Sequence, residues 1–288
     1  MIRLLLVALL SGSAANAAEL QLQSTYVWEH QDDAFGGVSG IWVSEKGDAL
    51  VAVTDRGHFV EADIQRSNGN ISDVAVRNFD ALKGRDGLPL SGILVDAEGL
   101  AIAGDGTRFV SFEGNPRVWR YSSFASRPQW THKWNRFWNL QRNSGLEALA
   151  IDDNGTLYAV PERSGRWERP FPVYRYDGKS WDDRLNLPRS EKFLVVGADF
   201  GPDGKFYLLE REFNWLGGFK SRIRRFTLAD AGFENEETLL QSDWTEYDNL
   251  EGIAVWEDGN GATIITLVSD DNFSVFQSTT LVEFLVID

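Results

Sequence analysis

The sequence predicts an all-β fold, a β-propeller built from four-stranded blades. A short pattern occurs five times: a small or acidic residue, Gly or Ala, an apolar strand, a turn ending in Gly, a second apolar strand and an acid. Between the copies, apolar runs alternate with Gly, Asn and Asp turns, and no helical period is sustained. Four strands in a repeat of about 50 residues are typical of a propeller blade. The copies span residues 39–55, 98–113, 147–162, 196–210 and 251–270.

Further apolar runs complete the blades. We expect two more strands after each of the first four copies, at 58–64 and 71–79, 117–124 and 129–135, 171–176 and 192–196, and 221–228 and 237–241. The fifth copy (strands 252–255 and 262–268) leaves only 281–287 for its third strand, so the N-terminal strand 20–28 would supply the fourth and close the ring without an unpaired edge. The count favours five blades. It becomes six if the interval 39–98 contains a degenerate blade.

The N-terminus has the pattern of a cleavable signal peptide. Arg3 precedes the short apolar run 4–10, and Ala15-Asn16-Ala17 fits a cleavage site near Ala17 or Ala18. We expect residues 1–18 to be removed and 19–288 to form one domain, exported to the periplasm or secreted. A buried N-terminal helix is the alternative.

Composition limits the partners. The chain of 288 residues has a formal charge of -15 and no Cys, so its core must be stable without disulfides. An acidic surface argues against nucleic acid and anionic membranes. No segment after the signal is long enough to span a bilayer, and we expect no membrane insertion, a monomer, and a small anionic or ester substrate. The eleven Trp are predicted to be core wedges between blades, with exceptions expected near Trp134, Phe137 and Trp138.

The recurring acids should converge. In a blade the first strand lines the axis and the second returns beside it, so an acid that starts the first and an acid that ends the second lie on one rim. Several carboxylates on one concave rim repel one another unless a cation lies among them. Ca²⁺ suits oxygen ligands and loose geometry, whereas Zn²⁺ would need His or Cys. The candidate ligands are Glu98, Glu147, Glu251, Asp270, Glu113, Glu162, Asp55 and Glu210.

Three arginines directly follow second-strand acids. Arg presents a planar fork that matches phosphate or carboxylate. We therefore expect Arg56, Arg163 and Arg211, together with Asn272, to bind the substrate, and Glu147, Glu98, Arg56 and Arg211 to act in catalysis. The alternative is that these acids and arginines form salt bridges between blades.

The pattern is imperfect in two copies. Ser39 and Val196 stand where the other copies have a leading Glu, so the rim should be asymmetric. Asp199 either reaches the channel or is a turn residue. His58 could act as an acid or base, although a strand-start role is the simpler interpretation.

The chain resembles the phytase-like family described as having "esterase-like activity of phytase". The resemblance covers nearly all of the mature chain and is carried by stretches that include Thr54-Asp55-Arg56-Gly57, Asp96-Ala97-Glu98-Gly99-Leu100, Leu209-Glu210-Arg211-Glu212-Phe213, Asp248-Asn249-Leu250-Glu251-Gly252 and Ser269-Asp270-Asp271-Asn272-Phe273. It implies an exported β-propeller for which phosphoester or ester hydrolysis is proposed. The β-propeller phytases use Ca²⁺ to bind phosphate; the chain resembles them in architecture and in its acid-rich rim, but no stretch matches their motifs closely.

Two classes of function fit these observations. The first is a metal-dependent hydrolase of phosphate esters or related esters. The second is a non-catalytic propeller that binds a ligand or Ca²⁺, because the sequence shows no clear nucleophile. A lactonase-type hydrolase is a third possibility, since such enzymes also build their site from channel acids.

Overall fold

The computed structural model describes residues 18–123, 125–131, 135–140 and 144–288. These residues form five four-stranded antiparallel sheets around a central axis. The predicted five-bladed propeller is therefore confirmed, and the interval 39–98 contains no sixth blade. It is filled by two long strands of the first blade and by the connection 82–96. The predicted signal peptide lies outside the described residues, apart from Ala18.

The blades follow one another in chain order, and the strands within each of the first four blades run in order from the axis outward. Blade 1 contains β2 (Val38–Val43), β3 (Ala49–Thr54), β4 (His58–Ser67) and β5 (Asn70–Ala81). Blade 2 contains β6 (Ala97–Ile102), β7 (Arg108–Phe112), β8 (Arg117–Tyr121) and β9 (Gln129–Trp130). Blade 3 contains β10 (Leu146–Ile151), β11 (Leu157–Pro161), β12 (Phe171–Tyr176) and β13 (Trp181–Leu187). Blade 4 contains β14 (Leu194–Phe200), β15 (Phe206–Asn214), β16 (Gly218–Ala229) and β17 (Gly232–Gln241). Short 3-10 helices span Gly92–Leu94 and Asn135–Asn139.

Blade 5 joins the two ends of the chain. It contains β18 (Leu250–Glu257), β19 (Thr263–Ser269) and β20 (Thr280–Ile287), and its outer strand is β1 (Glu19–Val27). β1 runs antiparallel to β20, from the pair Glu19 and Ile287 to the pair Val27 and Thr280. The N-terminal strand therefore closes the ring as predicted.

One predicted strand is wrong. The fourth strand of blade 3 is β13, not residues 192–196, which overlap the first strand of blade 4. β13 reads Trp-Asp-Asp-Arg-Leu-Asn-Leu and buries only Trp181, Leu185 and Leu187. An outer strand packs on its blade with one face only, so the other face of β13 is polar. The sequence of β13 therefore lacks the apolar run by which the other strands were predicted.

The first strands approach the axis so closely that their packing requires glycine. A Cβ on Gly40 would lie 2.5 Å from the carbonyl oxygen of Glu98 in the next blade, and one on Gly197 would lie 2.7 Å from that of Glu251. Both distances are shorter than a van der Waals contact, so a side chain would push the blades apart. The Gly in the repeat therefore allows the first strands of neighbouring blades to pack closely together around the axis.

The tryptophans are only partly core residues, and the exposed ones include more than the exception expected at Trp138. Trp28, Trp119, Trp181 and Trp256 are buried in clusters between or within the blades. Others are exposed, namely Trp138, Trp167, Trp215 and Trp244. Phe137 is buried, contrary to expectation, and Trp134 lies outside the described residues. Within the described part of the chain, no helix is long and apolar enough to cross a membrane.

Candidate functional site: an acidic rim at the axis

A β-bulge lies at the leading position of every first strand. The pairing of β10 with β11 passes from Leu146 to Ala148 and skips Glu147, and that of β18 with β19 skips Glu251 in the same way. The ladder of blade 2 skips Glu98 and Gly99. A bulge turns a side chain away from the regular alternation of the strand. Ser39 and Val196 occupy the bulges of the other two blades.

Eight carboxylates gather where first strands begin and second strands end, at what we call the rim face of the ring. We call them the acidic rim: Asp55, Asp96, Glu98, Glu113, Glu147, Glu162, Glu251 and Asp270. Asp96, Glu98 and Glu113 form its tightest group, with one carboxylate oxygen from each lying within 4.8 Å of the others. The carboxyl group of Glu113 in blade 2 interacts with those of Asp96 in the same blade and Glu147 in blade 3. Gly145 makes this possible, because its missing Cβ would lie 2.7 Å from the Cα of Glu113.

Burial and mutual repulsion hold protons on this side of the rim. The pKa of Glu98 is raised well above its usual range, first by burial and then by the charges of Glu251 and Asp96. Burial, followed by the charges of Glu98 and Glu113, likewise raises the pKa of Glu147. Burial also raises the pKa of Glu113 to about 7. In the metal-free protein these carboxyl groups therefore retain protons near neutral pH, and a bound cation would displace those protons.

Blades 1 and 5 continue the rim. Burial raises the pKa of Asp270 to about 8, and the charge of Glu251 adds to the effect. Burial raises the pKa of Asp55 to about 6, against the opposing effect of Arg56. One buried oxygen of Asp55 has no hydrogen-bond partner among the described residues. Asp270 accepts a hydrogen bond of 2.8 Å from the backbone N–H of Asn272.

Arg211 neutralises the opposite side of the rim. Its guanidinium donates to Glu251 and to the side-chain oxygen of Asn249, and lies 3.9 Å from Glu162. The amide of Asn249 donates back to Glu251 at 2.9 Å. The pKa of Arg211 is raised; burial opposes this, but the charges of Glu251, Glu147 and Glu162 outweigh it. Arg211 is thus an internal counter-ion whose Nη1 donates to both Glu251 and Asn249.

Glu210 does not join the acidic rim. Its carboxylate is fully buried and accepts hydrogen bonds from Arg222 at 2.9 Å and from Arg224 at 2.7 Å. Both arginines lie on β16 of the same blade. Glu210 follows the repeat pattern, but the two arginines satisfy it, and it has a structural role within blade 4. For this residue the salt-bridge alternative applies.

The two other arginines are exposed at the rim face. Arg56 lies over the ring of Phe273, with its guanidinium carbon 3.1 Å from the ring centroid. Arg163 donates to the neighbouring Glu162 at 2.9 Å and is about half exposed. Asn272 is exposed, and its side chain donates to Gln277 at 3.3 Å. These groups are accessible to a ligand at the rim.

Asp199 and His58 lie outside the rim. Asp199 accepts from the backbone N–H of Val255 in blade 5 at 2.8 Å and from its neighbour Phe200 at 2.9 Å, so it links two blades. His58 stacks on Phe79 with ring centroids 4.7 Å apart, and burial lowers its pKa. The strand-start interpretation of His58 fits this packing.

Sequence reasoning missed Asp96 and Asn249 as members of the site. Both lie two residues before a leading Glu, in the stretches Asp96-Ala97-Glu98 and Asn249-Leu250-Glu251. This shared offset was a usable signal. No such sequence signal marked the bulges, because a bulge depends on how two strands pair, and the sequence of one strand does not reveal that pairing.

Three comparisons place the fold among known proteins. A family model described as "Phytase-like: Esterase-like activity of phytase" matches residues 33–273. The chain is similar in structure to an α-L-arabinofuranosidase from Podospora anserina solved with cellotriose, at 11% identity and a TM-score of 0.53, covering 94% of this chain and 98% of that one. It is also similar to a PQQ-bound aldose sugar dehydrogenase from Streptomyces coelicolor, at 12% identity and a TM-score of 0.49, with coverage of 91% and 98%. At these identities the likeness concerns the fold alone. Comparison with curated protein sequences gave no significant match.

Proposed function

Since the chain belongs to this phytase-like family, we propose that it is an exported, Ca²⁺-dependent hydrolase of phosphate esters or related esters that acts at the acidic rim. One observation carries the proposal. Asp96, Glu98, Glu113 and Glu147 are crowded at the axis, and among the described residues none of them forms a salt bridge, whereas Arg211 pairs with Glu251 on the other side. Buried carboxylates that repel one another are stabilised by a metal ion or lose their charge to protons.

The donor set fits calcium. Asp96, Glu98 and Glu113 offer carboxylate oxygens within 4.8 Å of one another, and the chain has no Cys. Ca²⁺ takes six to eight oxygen ligands at about 2.3–2.6 Å, so a few carboxylates leave positions for water and substrate oxygens. When bound, the ion would polarise an ester oxygen and make a coordinated water more acidic.

The surrounding residues divide the remaining work. Arg56 and Arg163 are exposed at the rim face and would orient an anionic group with their planar forks. Glu147 lies next to the proposed ion site, beside Glu113, and would accept the proton of the attacking water once the charge of the ion has displaced its own proton. Arg211 would position Glu251, because its Nη1 donates to both Glu251 and Asn249.

The test is a hydrolysis panel of phosphomonoesters, phosphodiesters and carboxylic esters, run with Ca²⁺ and with EDTA. We expect Ca²⁺-dependent turnover that Glu147→Gln lowers by about 10²–10⁴-fold while folding is kept. Glu257→Gln is the matched control, because Glu257 is an exposed Glu at the far end of β18 and its loss should change nothing. Absence of turnover on every substrate, with Ca²⁺ still raising the melting temperature, would favour the non-catalytic calcium-binding alternative.

A further inference from the structure

Exposed apolar side chains are concentrated on loops of the rim face. Second and fourth strands end at this face, so the loops β11–β12, β15–β16, β17–β18 and β19–β20 all lie there, as does the connection into β6. Thirteen large apolar residues are exposed in the described part of the chain, and nine of them are on these loops or on the end of β15 that leads into one. The nine are Leu88, Ile93, Trp167, Phe213, Trp215, Leu216, Trp244, Val275 and Phe276.

The β15–β16 hairpin projects furthest. The second strands of the other blades end one residue before their rim acid, whereas β15 continues four residues past Glu210 to Asn214. Four strand residues correspond to about 13 Å of extra length. Its tip exposes 80% of Trp215 and 79% of Leu216. A β-hairpin that extends into solvent and ends in Trp-Leu has no role in the packing of the blade.

Two tips also lack charge. One residue in four is charged in this chain, with a formal total of -15, yet residues 213–219 and 272–282 contain none. At the base of the hairpin Glu212 pairs in register with Lys220, so the two charges cancel. In the second tip Val275 and Phe276 are more than nine-tenths exposed. These uncharged, apolar tips therefore differ in charge and polarity from the rest of the acidic protein surface.

Three of these loops, β15–β16, β17–β18 and β19–β20, are in contact with one another, and they also carry part of the acidic rim. Trp244 on β17–β18 lies 3.5 Å from where a Cβ on Gly217 would be, and Thr245 donates to the carbonyl of Phe219 at 2.9 Å. Asp248 in the same loop accepts a hydrogen bond of 2.7 Å from Gln277 on β19–β20. The bases of these loops hold Arg211, Asn249 and Asp270. Whatever covers the tips is therefore brought to the rim.

We propose that these loop tips dock the rim face onto a neutral, zwitterionic lipid surface. Trp, Phe and Leu at protruding tips enter the boundary between lipid headgroups and acyl chains, where Trp is favoured. A fluid surface accepts convex tips without a matching pocket, which a rigid protein partner would have to supply. A second copy docked on this face would oppose two acidic rims, and the net charge disfavours an anionic bilayer. The proposal goes beyond the proposed function and does not depend on hydrolysis. The sequence led us to expect no membrane insertion, because no segment is long enough to span a bilayer and the net charge is negative; the proposed docking departs from that expectation.

Co-sedimentation of residues 19–288 with sucrose-loaded phosphatidylcholine vesicles, in EGTA and in Ca²⁺, tests the proposal. We expect binding in both buffers, and a loss of at least tenfold in the partition coefficient for the double variant Trp215→Ser/Leu216→Ser. The control is Leu22→Ser/Ile287→Ser, which removes two exposed apolar residues from strands β1 and β20, outside the rim-face loops, and should bind within twofold of the wild type. All four positions are exposed, so circular dichroism should show unchanged folding.

Three results would overturn the proposal. They are no binding of the wild type to phosphatidylcholine, binding that requires Ca²⁺ or added anionic lipid, and an equal loss in the control variant. Retained binding in a protein that hydrolyses nothing would leave the docking surface intact and count only against the proposed function.

Discussion

Replacing Asp270 with Asn should remove a large part of the pH dependence of stability of the metal-free protein. Asp270 is buried at the acidic rim and accepts a hydrogen bond from the backbone of Asn272. Its pKa of about 8 in the folded protein compares with an ordinary value of 3.8. The folded state therefore holds a proton that the unfolded state releases. This contribution is fully present below pH 3.8 and is lost as the pH rises toward 8.

The size of the effect follows from the pKa difference. Between pH 4 and pH 7 the unfolded carboxyl loses its proton and the folded one keeps it, which costs about 4 kcal/mol of unfolding free energy at 1.36 kcal/mol per pH unit. The amide that Asp270→Asn introduces cannot titrate, and its side-chain oxygen still accepts from the backbone of Asn272. The fall in stability from pH 4 to pH 7 should therefore be about 4 kcal/mol smaller in the variant.

Urea unfolding in EDTA at the two pH values measures this difference. Asp230→Asn, in the exposed turn between β16 and β17, is the matched control and should follow the wild type. Equal pH slopes for Asp270→Asn and the wild type would refute the reasoning, because they would mean that Asp270 ionises as freely in the rim as in the unfolded chain.

Three further results are expected. Glu98→Gln should abolish most of the stabilisation by calcium, which is about 2.7 kcal/mol in the wild type when the calcium concentration is about 100 times the Kd. Differential scanning calorimetry with and without Ca²⁺ measures this stabilisation, and full stabilisation of the variant would contradict the ion site. Glu210→Gln should lower the unfolding free energy by about 3–5 kcal/mol, because the buried Arg222 would lose its carboxylate partner and Arg224 would keep only Glu236. Calcium affinity by titration calorimetry should stay the same, and a large loss of it would instead return Glu210 to the rim. Gly40→Ala should cost about 1–3 kcal/mol in urea unfolding, because its Cβ would meet a carbonyl at 2.5 Å, and a neutral outcome would show that the axis is wider than described.

The repeat predicted the ring well because each copy combines two short-range signals, strand alternation and a turn Gly. Strand β13 escaped prediction because its outer face is polar, and only its pairing with β12 identifies it. The closure by β1 was predictable from counting, since the fifth copy lacked a strand.

The candidate site was predictable to the level of residue type but not of partnership. Glu98, Glu147 and Glu251 follow from the pattern, and their bulges explain why the position recurs. Glu210 shares the same pattern, but two arginines twelve and fourteen residues later neutralise it. Which acid faces the axis and which is paired inside a blade depends on neighbouring strands, which the repeat does not encode.

The most direct test of the account is a crystal structure of the protein grown with calcium. We expect an ion at the axis, with oxygen ligands from Asp96, Glu98 and Glu113 and with Arg211 still bound to Glu251. An ion bound only at an exposed hairpin turn, with the three carboxylates left without metal at saturating calcium, would contradict it.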